Sequence, residues 1–252
     1  MSVVAAAVIA LGGALCGATL ARTAFALESS DERADWRGVE PGVRAAWTLT
    51  LVAASTIAAI AAWTIAPGAA VGVAVTAFAA ASPGIAVVDM AARRIPFVIT
   101  GAVAAVALLA LAFTPYLARS LITAAAVAVV MIVLALASRG GVGGGDVAAA
   151  SVVAMTLAWA GLEAVVLALA AGMLLSGITG LGLRLAHRDV ALVPFGPFLF
   201  VGWWLAIIYS IMDLMGKRKA PQSDGVEACG PRCRGPHGWR QRRIRPMRRT
   251  RS

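Results

Sequence analysis

The stretch LITAAAVAVVMIVLALASRGGVGGGDVAAA, residues 121–150, decides how this chain folds. Leu121–Ala137 is a run of seventeen residues without a charge, long enough to cross roughly 30 Å of hydrocarbon as a helix. Ser138 and Arg139 follow it, then five glycines among the six residues Gly140–Gly145, then Asp146. A carboxylate beside hydrocarbon costs roughly 2.5–3.5 kcal/mol at a helix centre and less near the interface, so its presence needs a reason.

Similar apolar runs recur on both sides. The candidate spans are Val3–Ala21, Ala45–Ile65, Ala69–Val88, Phe97–Phe113, Leu121–Ala137, Val147–Trp159, Glu163–Leu183 and Pro194–Met215. The sixth is short, and Ala160-Gly161 is a weak turn signal after it. With 60% hydrophobic and 13% charged residues, against roughly a quarter charged in an average globular chain, the composition excludes an ordinary soluble domain. Backbone polar groups in lipid must satisfy one another, so the expected fold class is all-α, a polytopic membrane helix bundle of about eight transmembrane helices. The first span has no basic residue before its apolar core and Arg22 after it, the reverse of a secretory signal, so it reads as an uncleaved anchor.

Arginines sort the loops. With eight spans, Arg22, Arg33, Arg37, Arg44, Arg93, Arg94, Arg139, Arg184 and Arg188 share one side and Arg119 stands on the other, which places the first side in the cytoplasm. The amino terminus is then outside. Residues 1–215 read as one membrane domain with a short cytoplasmic loop at 28–44, and 216–252 as a basic, disordered tail. From Lys217 to Ser252 twelve Lys and Arg oppose Asp224 and Glu227, which accounts for the whole net charge of +10. Eight spans put this tail outside, in tension with the basic-side rule. No recognition motif accompanies its charge, so specific nucleic-acid binding is not expected. Cys229 and Cys233 make one isolated pair without nearby histidines, a poor zinc site. Neither metal nor cofactor is expected.

A second carboxylate interrupts the apolar pattern at Asp89, in Val87-Val88-Asp89-Met90-Ala91-Ala92-Arg93-Arg94-Ile95-Pro96. It lies near the carboxyl end of its helix, where the dipole disfavours another negative charge. Arg93 and Arg94 can pair with it or anchor the helix at headgroups, and Ile95-Pro96 stops one helix and starts the next. Asp146 has a simpler local reading as a cap of the sixth helix. The glycines before it permit close backbone approach, without the Lys-Ser/Thr ending of a phosphate loop or the pattern of a dinucleotide fingerprint.

Both aspartates fall at cytoplasmic helix ends. Two carboxyls about 3 Å apart cannot both ionise and so share a proton. That is the arrangement of an aspartic protease, one member taking a proton from water and the other polarising the scissile carbonyl and protonating the leaving amine. The Glu28–Arg44 loop reads as a solvated connector, His187 as an interfacial loop residue, Glu163 as the start of the seventh helix, and Trp203 and Trp204 as packing or interface aromatics.

In these segments the chain resembles the bacterial type IV prepilin peptidase family of Gly-x-Gly-Asp membrane aspartic proteases. Asp89 with Ile95-Pro96 is similar to the family's Asp-x5-Ile-Pro element, Gly143-Gly144-Gly145-Asp146 to its Gly-x-Gly-Asp element, and Val193-Pro194-Phe195-Gly196-Pro197-Phe198 to the Pro-Phe-Gly-Pro-Phe element opening the last helix. The resemblance implies Asp89 and Asp146 as the catalytic pair, Gly143 and Gly145 in loop geometry, and Pro194–Phe198 in helix packing near the site; Arg93, Arg94, Pro96 and Pro194 are candidate supporting residues. It implies peptide hydrolysis without a metal at the cytoplasmic face of a bacterial plasma membrane. The implied partners are prepilin or pilin-like precursors, cut after a short basic leader, together with the lipid bilayer and a pilus or secretion assembly machinery. Larger members insert a cysteine-containing cytoplasmic domain linked to methylation; Glu28–Arg44 has no cysteine, which implies a peptidase-only form. Many relatives read Asp-Val-Lys where this chain reads Asp146-Val147-Ala148, which removes a possible electrostatic partner. Two other functions fit intramembrane carboxylates: a catalytically inactive assembly factor of the same fold, and a proton-coupled transporter. A transporter is expected to carry internal repeats and mid-membrane carboxylates, and neither is found here.

Overall fold

The computed structural model describes residues 3–28, 41–93, 95–138, 142–186 and 193–219. These residues form eight helices and no strand: α1 (Val3–Glu28), α2 (Pro41–Ile65), α3 (Ala69–Ala92), α4 (Phe97–Leu111), α5 (Leu117–Ala137), α6 (Gly144–Leu157), α7 (Leu162–Leu185) and α8 (Gly196–Lys219). The all-α polytopic bundle expected from the apolar runs is therefore the fold. Five helices, α2, α3, α5, α7 and α8, contain segments long and apolar enough to cross a membrane; α4, α6 and the apolar part of α1 are shorter. The central part of the 28–44 loop, Arg94, Arg139, His187, Arg188 and the tail beyond Lys219, with Cys229 and Cys233, lie outside the described residues.

Several ends differ from the apolar runs. Arg22 lies inside α1, Arg119 lies in the first turn of α5, and α8 starts at Gly196 rather than Pro194 and continues past Met215 to Lys219. The sixth helix is short, as its sequence indicates, but it begins at Gly144, so two of the glycines belong to the helix and not to the loop. Gly161 makes the turn before α7 with φ of 125°, a region glycine enters without a Cβ penalty. Glu163 stands in the first turn of α7.

The bundle is organised around α3, which packs against α1, α2, α4, α6 and α8. Of its apolar window 72% is buried, against 11% for α5, so α3 is the hub and α5 a lipid-facing wall. Its sequence suits that place, because alanine and glycine let neighbouring backbones approach where no hydrophobic force drives helices together in lipid. Pro83 lies within α3 and has no N–H to donate to the Ala79 carbonyl. Ser82 Oγ donates to that carbonyl instead at 2.9 Å. The helix thus runs on through the proline to Asp89.

Beneath the hub, Trp203 of α8 is fully buried and stacks obliquely on Phe78 of α3, ring centres 5.1 Å apart. Its Nε1–H donates to Thr156 Oγ1 of α6 at 3.2 Å. One aromatic residue therefore ties α3, α6 and α8 together, the three helices that carry the site.

Candidate active site

Asp89 sits one turn before the end of α3 and is only 4% exposed. Its main-chain carbonyl receives the N–H of Arg93, whose left-handed conformation (φ 52°, ψ 35°) ends the helix. The carboxyl turns away from its own helix to the start of α8, where the Gly196 N–H donates to Oδ2 at 2.6 Å. The unfavourable dipole at the end of α3 is thus offset by the positive amino-terminal end of another helix. Among the described residues the Asp89 carboxyl accepts from this amide, and the expected pairing with Arg93 is not seen.

Asp146 is the third residue of α6, and Gly143, not Asp146, is the capping residue. The carboxylate reaches back so that Gly143 N–H donates to Oδ2 at 2.9 Å. This is the reciprocal half of a capping box, the other half being absent because Gly143 has no side chain. The local reading of Asp146 as a cap is correct in substance and shifted by one turn.

Ile95 joins the two elements. A Cβ on Gly145 would lie 2.7 Å from the Ile95 carbonyl oxygen and 3.0 Å from its Cβ, so only glycine lets the start of α6 lie on the Ile95 peptide. Pro96 then caps α4, its carbonyl receiving the N–H groups of Ile99 and Thr100. The spacing between Asp89 and Ile95-Pro96 therefore sets where α6 begins and where Asp146 points.

Asp89 and Asp146 line one cavity of about 430 Å³ and are near enough to interact electrostatically. Arg93, Gly143 and Pro194 share its wall. So do Met131 and Leu134 from α5 with Ser138 at its cap, Met173, Ser176 and Gly177 from α7, and Val142, Val193 and Phe195 from the loops. The chamber thus offers two carboxylates and a cation on an otherwise mostly apolar surface. Such a space can hold an extended peptide against a water molecule poised between the carboxyls. Among the described residues no group of three His, Cys, Asp or Glu assembles.

The residue that sequence reading undervalued is Gly196. Its signal was the setting, a glycine followed by Pro197 at a helix start, but its contribution is a main-chain amide that side-chain chemistry does not announce. The cavity walls of α5 and α7 were read only as apolar spans.

Compared with known proteins, residues 76–181 match the type IV leader peptidase family. The matched stretch runs from within α3 to within α7 and contains both aspartates, Ile95-Pro96 and the glycine element; the start of α8 lies beyond it. No curated protein and no solved structure matches the chain.

Proposed function

Residues 76–181 belong to the type IV leader peptidase family, and from that premise we propose that the chain is a membrane aspartic endopeptidase whose catalytic pair is Asp89 and Asp146. The observation that carries this reading is their convergence: two carboxylates from different helices line one cavity at the ends of apolar helices. In the working state the pair holds one proton. The ionised member removes a proton from water as the oxygen attacks the scissile carbonyl carbon, while the protonated member donates a hydrogen bond to the carbonyl oxygen. Collapse of the tetrahedral intermediate breaks the C–N bond, and a carboxyl proton passes to the leaving nitrogen. Gly143, Gly145 and Pro96 hold the backbone that presents Asp146; Pro194 lines the same cavity.

The substrates are prepilin or pilin-like precursors, in which a short basic leader precedes a hydrophobic segment. Supporting that choice are the family and the cavity, whose apolar walls suit the hydrophobic flank of the scissile bond. The arginine distribution supports a bacterial plasma-membrane location with the site facing the cytoplasm, where pilus or secretion assembly machinery would receive the product. The experiment is co-expression with a candidate precursor, following leader removal by mass for wild type, Asp89→Asn and Asp146→Asn. Each substitution is expected to abolish cleavage, and persistence of the mature product in either one overturns the dyad.

A further inference from the structure

The first four N–H groups of a helix have no acceptor within it. In α8, Pro197 removes one of these donors, and the Gly196 N–H finds its acceptor 107 residues away on Asp89. The fit is tight on both sides. A Cβ on Gly196 would stand 3.0 Å from Asp89 Oδ2 and 3.1 Å from its Cβ, so any side chain there must push the carboxyl or the helix aside. Asp89 is almost completely enclosed and lines the cavity that it shares with Asp146.

Resting on the peptidase reading above, we propose that Gly196 is a positioning residue. The Gly196 amide that opens α8 fixes the Asp89 carboxyl in the orientation in which it shares a cavity with Asp146, and the missing side chain at 196 is what lets it do so. Simple capping of α8 by Asp89 does not require the carboxyl to have a catalytic orientation, and the two roles separate in kinetics. A displacement of about 1 Å at a catalytic group costs about 10²-fold in rate while leaving substrate binding elsewhere intact. Loss of a cap alone lowers stability and leaves kcat where it was.

The test uses the full chain in lipid nanodiscs and a synthetic precursor peptide with a basic leader followed by a hydrophobic segment. Gly196→Ala is expected to lower kcat about 100-fold with KM within about twofold. Gly101→Ala, in α4 with open space around its Cβ, is expected to match wild type in both. Replacing Gly196 by glycolate removes the N–H donor and adds no side chain; kcat is expected to fall at least about tenfold, and this variant decides the matter if Gly196→Ala does not fold. A folded Gly196→Ala or glycolate protein with wild-type kcat overturns the positioning role, as does a lowered unfolding temperature with kcat preserved. In either case cleavage by wild type leaves the peptidase reading standing. A wild-type chain that cleaves no precursor removes that reading and this one with it.

Discussion

At the residue scale, Asp146 carries two duties that ordinary substitutions separate. Its carboxylate accepts the Gly143 N–H at the start of α6, and it lines the cavity shared with Asp89. An asparagine oxygen can still accept that N–H but cannot supply or take the proton that the proposed mechanism moves. Asp146→Asn is therefore expected to lose cleavage while keeping its unfolding temperature close to that of wild type. Asp146→Ala is expected to lose cleavage and, in addition, about 0.5–2 kcal/mol of stability, read by denaturation in micelles. Equal stability of the two variants would show that the bond to Gly143 contributes nothing. Both carboxylates were legible in the sequence because charge beside hydrocarbon is costly. The partner of Asp89 was not, since a backbone amide has no identity in a one-letter code and this one comes from the far end of the chain.

Helix α3 shows the same logic one level up. A proline nine residues before the end of a hub helix should weaken it, yet the helix continues because Ser82 Oγ takes over the Ala79 carbonyl. Ser82→Ala leaves that carbonyl without a donor in a water-free interior and is expected to cost about 1–3 kcal/mol. In a Pro83→Ala background the N–H is restored, and the same Ser82→Ala change is expected to cost markedly less. A double-mutant cycle on unfolding free energy reads the difference, and strict additivity would refute the exchange of donors. Elements of this kind were readable from their apolar runs, in number and order. Their ends were not, because tertiary contacts set them: α6 takes in Gly144 and Gly145 where Ile95 lies against the backbone, and α8 starts where Asp89 receives its first amide.

For the whole molecule, the proposed pair of carboxyls, holding one proton between them, gives a pH profile with two limbs. Below the acid limb both are protonated and no base remains; above the alkaline limb both are ionised and no acid remains. Cleavage is expected to trace a bell, and a flat rate over about pH 4–9 would argue against a shared proton. The brevity of α4 and α6, which pack side by side, reaches further. At about 1.5 Å per residue, the fourteen residues of α6 rise about 21 Å, against roughly 30 Å of hydrocarbon. The fifteen of α4 rise little more, and α4 shows Val98 and Leu109 to lipid. A bilayer meeting that flank has to dip, as a shoreline does at an inlet. A bilayer thinned on that flank is expected to bring bulk water nearer the carboxylates, which would make the thickness of the surrounding lipid a control on the proposed reaction. Hydrolysis is expected to slow as the acyl chains of the host bilayer lengthen, and equal rates in short- and long-chain phosphatidylcholine vesicles would show that the inlet does not exist.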